Sequence, residues 1–330
     1  MAHVTLPGLN WRNLNPLEED AFAIFEAGGF QCAVVMSNMG PELPLEIARR
    51  KPAALLIGRL FRGGGSLPTV KEALAEWRPY VYVTRGVIKL YAIDNEPDEH
   101  YPGVSPEDFC VWWVKVRKAL QWEFNDCYFG FPMPSVRGQQ SVDYMRRCVK
   151  GIEAADWLAE RGYWYEPWQM TDWHWGARYI LTSVEFSGKR IHLCEYGCSA
   201  DLDQATRADQ YRAYLGALPS FVQTASAYIM AGGTPDWKRF WIDAGMAQAM
   251  RINHDSGYVT LPEGGTMLKD QYPDLYAQWE AAGGVENNLR AHLLGIGVLK
   301  ATPADLKFLA DEADASITQL RAALKAFPFP

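Results

Sequence analysis

The chain has 330 residues, of which 48% are hydrophobic and 22% charged, and its formal net charge is −7. This balance is ordinary for a soluble globular enzyme, and the length fits two modest domains or one large α/β barrel with additional elements. The acidic charge, without a cluster of Lys and Arg, argues against nucleic acid as a partner.

Short apolar runs alternate with amphipathic stretches along most of the chain, which is the pattern of successive strand and helix units. The predicted strands cover residues 3–10, 30–37, 53–61, 86–95, 127–135, 166–175, 190–197 and 222–233. The predicted helices cover 15–29, 41–51, 67–77, 105–124, 141–162, 177–186 and 205–218. Eight such units predict the α/β class and a (β/α)8 TIM barrel.

A doubly wound sheet is the alternative fold, but no Gly-x-Gly-x-x-Gly follows the first strand. The glycine-rich "RGGGS" (62–66) lacks the lysine of a phosphate-binding loop. After residue 233 the pattern becomes helical, and 302–327 reads as a strong helix. We therefore expect a catalytic barrel over 1–255 and a helical C-terminal extension over 256–330. The apolar stripe of that extension packs on the barrel or, alternatively, on a second copy of the chain.

Two glutamates stand at predicted strand ends. The fourth strand ends in Asn95-Glu96-Pro97 and the seventh in "CEYG", which contains Glu195. In a barrel of this type the functional residues lie at the carboxyl ends of the strands, so both carboxylates are expected to face one cavity. Paired carboxylates across a cleft are the apparatus of glycoside hydrolysis, in which one donates a proton and the other attacks the anomeric carbon or activates water.

The backbone pattern supports these two glutamates unequally. With a period of two, Ile191, Leu193 and Glu195 point to the same side of the seventh strand, which places an acid above an apolar row. On the fourth strand, Asn95 and Glu96 both face the cavity only if the strand bulges or twists at its end. Pro97 is expected to keep the backbone of Glu96 extended.

The string "DNEPD" followed by "CEYG" resembles clan A glycoside hydrolases, in which Asn-Glu ends strand four and Glu ends strand seven. The resemblance covers about residues 3–245 and is similar in character to the β-xylosidase/α-iduronidase type and to small endo-β-1,3-glucanases. It implies a retaining glycosidase with Glu96 as acid/base, Glu195 as nucleophile and Asn95 as a ligand of the sugar 2-hydroxyl. Arg59 resembles the arginine beside the nucleophile, although it ends the predicted third strand and the clan usually has this arginine on the second.

Aromatic residues cluster in "GYWYEPWQMTDWHWG" (162–176), and flat aromatic faces at a cleft suit the apolar faces of sugar rings. Candidate sugar-binding residues are His174, Trp173, Trp175 and Trp237. Each of these tryptophans is equally well explained as core packing, and His174 as a hydrogen-bonded core histidine.

Other readings of the site stay open. In the first alternative, Glu96 and Glu195 are structural acids paired with Arg59 or Arg85. A second hypothesis is a non-catalytic carbohydrate-binding barrel in which one of the two glutamates is silent. A third is a different barrel enzyme, for example one for metal-dependent hydrolysis, which needs His or Asp ligands at several strand ends.

A carbohydrate substrate is the only partner that the sequence suggests. The six cysteines read as buried thiols, so we expect neither a cofactor nor a metal. The apolar runs are too short to span a bilayer, and no signal peptide opens the chain. Its location remains unknown, either cytoplasmic or secreted with the signal removed.

Overall fold

A closed barrel of eight parallel strands forms the centre of the computed structural model. The structure describes residues 5–135, 138–172, 175–179, 182, 186, 189–219 and 221–251. The strands are β1 (Leu6–Asn10), β2 (Cys32–Met36), β3 (Leu55–Leu60), β4 (Leu90–Ile93), β5 (Tyr128–Pro132), β6 (Trp157–Trp164), β7 (Arg190–Cys198) and β8 (Val222–Ala227). Each strand pairs in parallel with the next, and β8 pairs with β1. The predicted (β/α)8 barrel is therefore confirmed.

Helices alternate with the strands along the described part of the chain. They are α1 (Glu19–Ala27), α2 (Glu42–Arg50), α3 (Val70–Thr84), α4 (Pro97–His100), α5 (Pro106–Glu123), α6 (Gly138–Arg147), α7 (Val149–Ala154), α8 (Gln204–Ala217) and α9 (Ala244–Met250). Ser105 caps α5 by accepting a hydrogen bond from the backbone N–H of Asp108 at 3.1 Å, and Pro106 occupies the first helical position, as predicted.

The sixth strand does not lie where the sequence pattern places it. β6 covers Trp157–Trp164, which falls mostly within the predicted helix 141–162, whereas the predicted strand 166–175 follows β6. Helix α7 ends at Ala154, and Ala155 is already extended. The carboxylate of Asp156 accepts hydrogen bonds from the backbone N–H of Phe129 and from Arg117, which ties the start of β6 to β5. The segment after Asp156 then pairs with β5 and β7. Pairing on both sides outweighs the helix propensity of "WLAER".

The barrel interior is filled by alternate residues of several strands. One buried cluster contains Cys32, Val34, Ile57, Ala92, Trp157, Ala159 and Cys194. Its members lie on β2, β3, β4, β6 and β7, and none lies on a helix. The cluster is therefore inside the barrel. The indole of Trp157 occupies the space beside Gly130, where an added Cβ would lie 2.4 Å from the ring. The packed layer closes the lower barrel, so that only the carboxyl end is left for a cavity.

All six cysteines are free and buried, as predicted. Burial raises the pKa of each thiol, to about 12 for Cys32 and Cys194. These thiols therefore remain protonated at neutral pH and behave as small apolar side chains.

The chain divides into two compact units. The larger unit comprises Leu6–Arg212 and Val222–Ser256 and contains all eight strands. The smaller comprises Met1–Thr5, Ala213–Phe221 and Gly257–Pro330, and within it the hydroxyl of Thr5 donates to the carbonyl of Pro219 at 3.4 Å. The predicted helical extension 256–330 lies outside the described residues. Among the helices that the structure describes, none has the length and apolar character to cross a membrane.

Candidate active site

A cavity of about 480 Å³ opens at the carboxyl ends of the barrel strands. Its wall is built from residues at or just beyond the ends of β1, β3, β4, β6, β7 and β8: Asn10, Arg59, Glu96, Arg161, Tyr163, Glu195 and Tyr228. This is the end at which (β/α)8 enzymes hold their catalytic groups, and the volume is typical of a small-molecule site.

Glu195 lies near the carboxyl end of β7, and its side chain is only 6% exposed. Arg59 Nη1 donates a short hydrogen bond to Glu195 Oε1. The hydroxyl of Tyr163 donates to Glu195 Oε2 at 2.9 Å, and Arg161 Nη1 lies 3.8 Å from the same oxygen. Both carboxylate oxygens are therefore held in fixed positions by groups on β3 and β6.

A bulge in β7 directs Glu195 into the cavity. Ala159 of β6 pairs with His192, but Arg161 pairs with Glu195, so that β7 contains one extra residue between these two positions. His192 and Cys194 face the barrel interior before the bulge, and Glu195 faces it afterwards. The predicted simple alternation, with Ile191 and Leu193 on the side of Glu195, is therefore wrong. Bulges of this kind often re-aim a side chain at an active site.

The environment of Glu195 favours its ionised form. Burial raises the pKa of this carboxyl, but the charges of Arg59 and Arg161 and the hydrogen bonds from Arg59 and Tyr163 lower it more. The net result is a pKa below the usual value for Glu, so Glu195 is an anion at neutral pH. Tyr163 remains protonated, because burial and the charge of Glu195 raise its pKa well above the usual range.

Glu96 reaches the same cavity through an unusual backbone at the end of β4. Asp94 has φ 71° and Glu96 has φ 39° with ψ 61°, both in the left-handed region. The predicted extended backbone at Glu96 is therefore wrong. The carboxylate of Asp94 accepts hydrogen bonds from the Tyr101 hydroxyl and, at 2.8 Å, from the backbone N–H of Asn95, which hold the chain in this reversal. Left-handed non-glycine residues are strained and cluster at functional sites.

The reversal brings Asn95 and Glu96 to the cavity wall together. The side-chain amide of Asn95 donates to Glu96 Oε2 at 2.8 Å, and Arg161 Nη1 forms a close ion pair with Glu96 Oε1. One nitrogen of Arg161 thus lies within ion-pair distance of both glutamates. The two carboxylates on β7 and beyond β4 consequently face each other across a single guanidinium group.

Sequence reasoning missed Arg161 and Tyr163, because both fall at the misplaced sixth strand. Both lie on β6, and Arg161 also donates through Nη2 to the carbonyl of Pro134 at 3.1 Å. Burial lowers the pKa of Arg161 to about 10, and it remains charged at neutral pH. The signal that identifies this strand is the alternation Trp157, Ala159, Arg161, Tyr163, in which polar groups succeed apolar ones toward the carboxyl end.

The remaining predicted site residues have different outcomes. Arg59 lies on β3, as the strand count indicates, and not on β2 as the resemblance implies. Trp175 and Trp237 line the cavity, and the Trp237 ring makes an edge contact with Tyr228, with 5.5 Å between the ring centroids. His174 and Trp173 lie outside the described residues.

The alternative partner of the glutamates, Arg85, lies elsewhere. Its guanidinium carbon is 5.5 Å from the centre of the Tyr82 ring and 5.8 Å from that of Phe124. Within the described residues, no group of three or more His, Cys, Asp or Glu side chains is placed to hold a metal ion.

Comparison with known proteins identifies the fold. No family profile matches the chain, and no curated protein matches it in sequence. Solved structures of several glycoside hydrolases share its TIM-barrel fold. A mannohexaose complex of a β-mannanase from Thermomonospora fusca has a TM-score of 0.52 and 14% identity, covering 73% of this chain and 85% of that one.

Two further glycoside hydrolase structures are similar to the chain in fold. A family 128 curdlan-specific exo-β-1,3-glucanase from Blastomyces gilchristii, in complex with glucose, has a TM-score of 0.51 and 15% identity, covering 75% of this chain and 98% of that one. A family 39 glycoside hydrolase from Bacteroides cellulosilyticus has a TM-score of 0.51 and 11% identity. The match covers 75% of this chain but only 64% of the family 39 chain. At these identities the similarity establishes the barrel fold alone.

Proposed function

We propose that the protein is a retaining glycoside hydrolase that cleaves β-linked glycosides, with Glu195 as nucleophile and Glu96 as acid/base. The observation that supports this most is the pair of glutamates that face one cavity and share contact with one guanidinium nitrogen. Glycosidases of both stereochemical classes use such a pair, and the retaining class holds its carboxylates closer together.

The proposed reaction has two steps. In the first, Glu195 Oε attacks the anomeric carbon, the glycosidic C–O bond breaks, and protonated Glu96 gives its proton to the departing oxygen. In the second, Glu96 takes a proton from water, whose oxygen attacks the anomeric carbon and releases Glu195. The net change is one glycoside and one water converted into a free sugar and an alcohol.

The surrounding groups suit these roles. Arg59 and Tyr163 keep Glu195 ionised, which the attacking group requires. Asn95, which bonds to Glu96, lies where it can contact a sugar hydroxyl. Trp175 and Trp237 offer apolar faces for the sugar rings.

The deciding experiment is a screen of aryl β-glycosides and β-glucans or β-mannans, followed by proton NMR of the product on an active substrate. Retention predicts that the β-anomer of the released sugar appears first and then equilibrates with the α-anomer. If the α-anomer appears first, the reaction inverts, and Glu195 acts as a base toward water rather than as a nucleophile.

A non-catalytic carbohydrate-binding barrel is the second candidate. It is favoured by one observation, namely that both glutamates are paired with arginines, as structural acids would be. Calorimetry on the same oligosaccharides separates the two candidates. Binding without turnover of any ligand supports the second.

Replacing Tyr163 by Phe should weaken catalysis and shift its pH dependence. The Tyr163 hydroxyl lowers the pKa of Glu195, so without it that pKa rises and the acidic limb of kcat/KM moves to higher pH. A hydrogen bond to a charged group contributes about 1.5–3 kcal/mol, so kcat/KM should fall about 10- to 100-fold.

Tyr91→Phe is the matched control for this change. It removes a buried hydroxyl that contacts Thr84 at 2.9 Å and does not line the cavity. It should leave the pH profile unchanged. An unshifted acidic limb in Tyr163→Phe would mean that Glu195 does not control that limb.

A further inference from the structure

Arg161 stands between the two proposed catalytic carboxylates and is almost fully buried, with a side-chain exposure of 7%. Its Nη1 atom forms an ion pair with Glu96 Oε1 and lies 3.8 Å from Glu195 Oε2. A short movement of one nitrogen therefore suffices to exchange one carboxylate for the other. Its Nε atom is buried and has no acceptor among the described residues, so the guanidinium is not fully fixed by hydrogen bonds.

The glutamates do not keep the same charge through the proposed reaction. Before the first step, Glu195 is an anion and Glu96 holds a proton. After it, Glu195 is a neutral ester and Glu96 is an anion. The second step reverses this, so that one negative charge moves from β7 to the end of β4 and back. A buried cation that serves only one of these positions is left without its counter-charge in half of the cycle, which is costly.

We propose that Arg161 is a positioning residue that follows this charge. It pairs with Glu195 while Glu96 is protonated, and with Glu96 in the glycosyl-enzyme, where it keeps the general base ionised. This inference rests on the proposed function. The observed arrangement, with Arg161 on Glu96, is that of the free protein with Glu96 charged, and not the form with protonated Glu96 that begins the first step.

The other charged and polar groups around Arg161 have partners of their own, so Arg161 can exchange between the two glutamates. Arg59 is bound to the opposite oxygen of Glu195 and stays with that residue. The Arg178 guanidinium contacts Glu160, which is fully buried, with Nε donating to Oε1 at 2.6 Å. Tyr163 donates its hydroxyl to Glu195. Among the described residues, the carboxylate of Glu96 has two side-chain partners, Asn95 and Arg161. The loss of Arg161 therefore affects Glu96 most.

The first test is a crystal structure of Glu96→Gln, which cannot hold the charge at position 96. Arg161 Nη1 should move toward Glu195, and its distance to Oε2 should fall from 3.8 Å to about 2.8 Å. In crystals of the unmodified protein carrying a covalent 2-deoxy-2-fluoroglycosyl group on Glu195, the same nitrogen should remain on Glu96. An Arg161 that stays at 3.8 Å from Glu195 in Glu96→Gln would overturn the proposal.

The second test is kinetic and uses a dinitrophenyl glycoside of the active sugar. Its leaving group needs little acid help, so breakdown of the intermediate limits turnover. Arg161→Met should lower kcat by about 10- to 100-fold and raise the pH at which kcat is half-maximal, because Glu96 loses its cation in the glycosyl-enzyme. Because Arg161 also lowers the pKa of Glu195, the acidic limb of kcat/KM should move to higher pH as well. Arg161→Lys should recover part of the loss, because it retains the charge.

Arg117→Met is the control, since Arg117 pairs with Asp156 at 2.9 Å and does not line the cavity. It should match the unmodified protein in kcat and in pH dependence. If Arg161→Met leaves kcat and its pH dependence unchanged, or Arg161→Lys is no better than Arg161→Met, the proposal is wrong. Failure of the proposed function is distinguishable, because it is seen in the unmodified protein as inversion or as absence of turnover.

Discussion

Glu195→Gln should abolish turnover, with a loss of about 10⁴-fold or more in kcat, as when other enzymes lose a nucleophile. The variant keeps the shape of the side chain and removes the attacking anion. It should show no burst of phenol from an activated aryl glycoside, because no covalent intermediate forms. Added azide should yield at most the α-glycosyl azide, since a small anion can attack the anomeric carbon directly only from the face opposite to the leaving group.

The control for this variant is Glu160→Gln. Glu160 is also buried and paired with an arginine, Arg178. Glu160 does not line the cavity, although its partner Arg178 does. Breaking a buried pair by removing one partner costs about 3–5 kcal/mol, so this variant should unfold more easily. It should still turn over the substrate when folded. Near-normal turnover by Glu195→Gln, with its fold intact by circular dichroism, would show that Glu195 is not the nucleophile.

Glu96→Gln should behave differently, because it loses the proton donor and retains the nucleophile. On an activated aryl glycoside it should release one equivalent of phenol in a burst and then stall, as no base activates water for the second step. With a poor leaving group the first step also slows, and the total loss should be about 10²–10⁴-fold.

Azide provides the sharpest measurement for Glu96→Gln. Azide needs no base, so it should restore turnover on the activated substrate and give the β-glycosyl azide, the product of two inversions. The two glutamine variants should thus give azides of opposite configuration. An α-azide from Glu96→Gln, or turnover that azide does not change, would contradict the acid/base assignment.

The periodicity of the sequence was sufficient to predict the barrel and seven of its strands, because each has a short apolar run between turn signals. It failed for Trp157–Trp164, where Ala, Leu, Glu and Arg suit a helix in isolation. That segment is a strand because β5 and β7 pair with it on both sides. Such pairing joins residues distant in the chain, so local pattern does not record it.

The two glutamates and Arg59 of the candidate site were predictable from the sequence, whereas Arg161 and Tyr163 were not. Glu96 and Glu195 follow apolar runs at strand ends, a signal that needs no structure. Two backbone features were not predictable: the bulge that turns Glu195 inward and the left-handed backbone at Asp94 and Glu96. Neither changes the alternation of apolar and polar residues in the sequence. Arg161 was missed for the same reason as its strand, and its contact with both glutamates depends on barrel closure.

The buried thiols have a practical consequence for every variant discussed above. A thiol reagent reacts only with an exposed thiolate, so the six buried cysteines of the folded protein should be labelled slowly. Cys32 and Cys194 lie inside the barrel on β2 and β7, and Cys194 directly precedes Glu195. Their labelling rate therefore reports how often the strand beside the proposed nucleophile separates from its neighbours. The chain thus contains its own probe of barrel opening, which distinguishes a chemically inactive variant from a loosened one without any substrate.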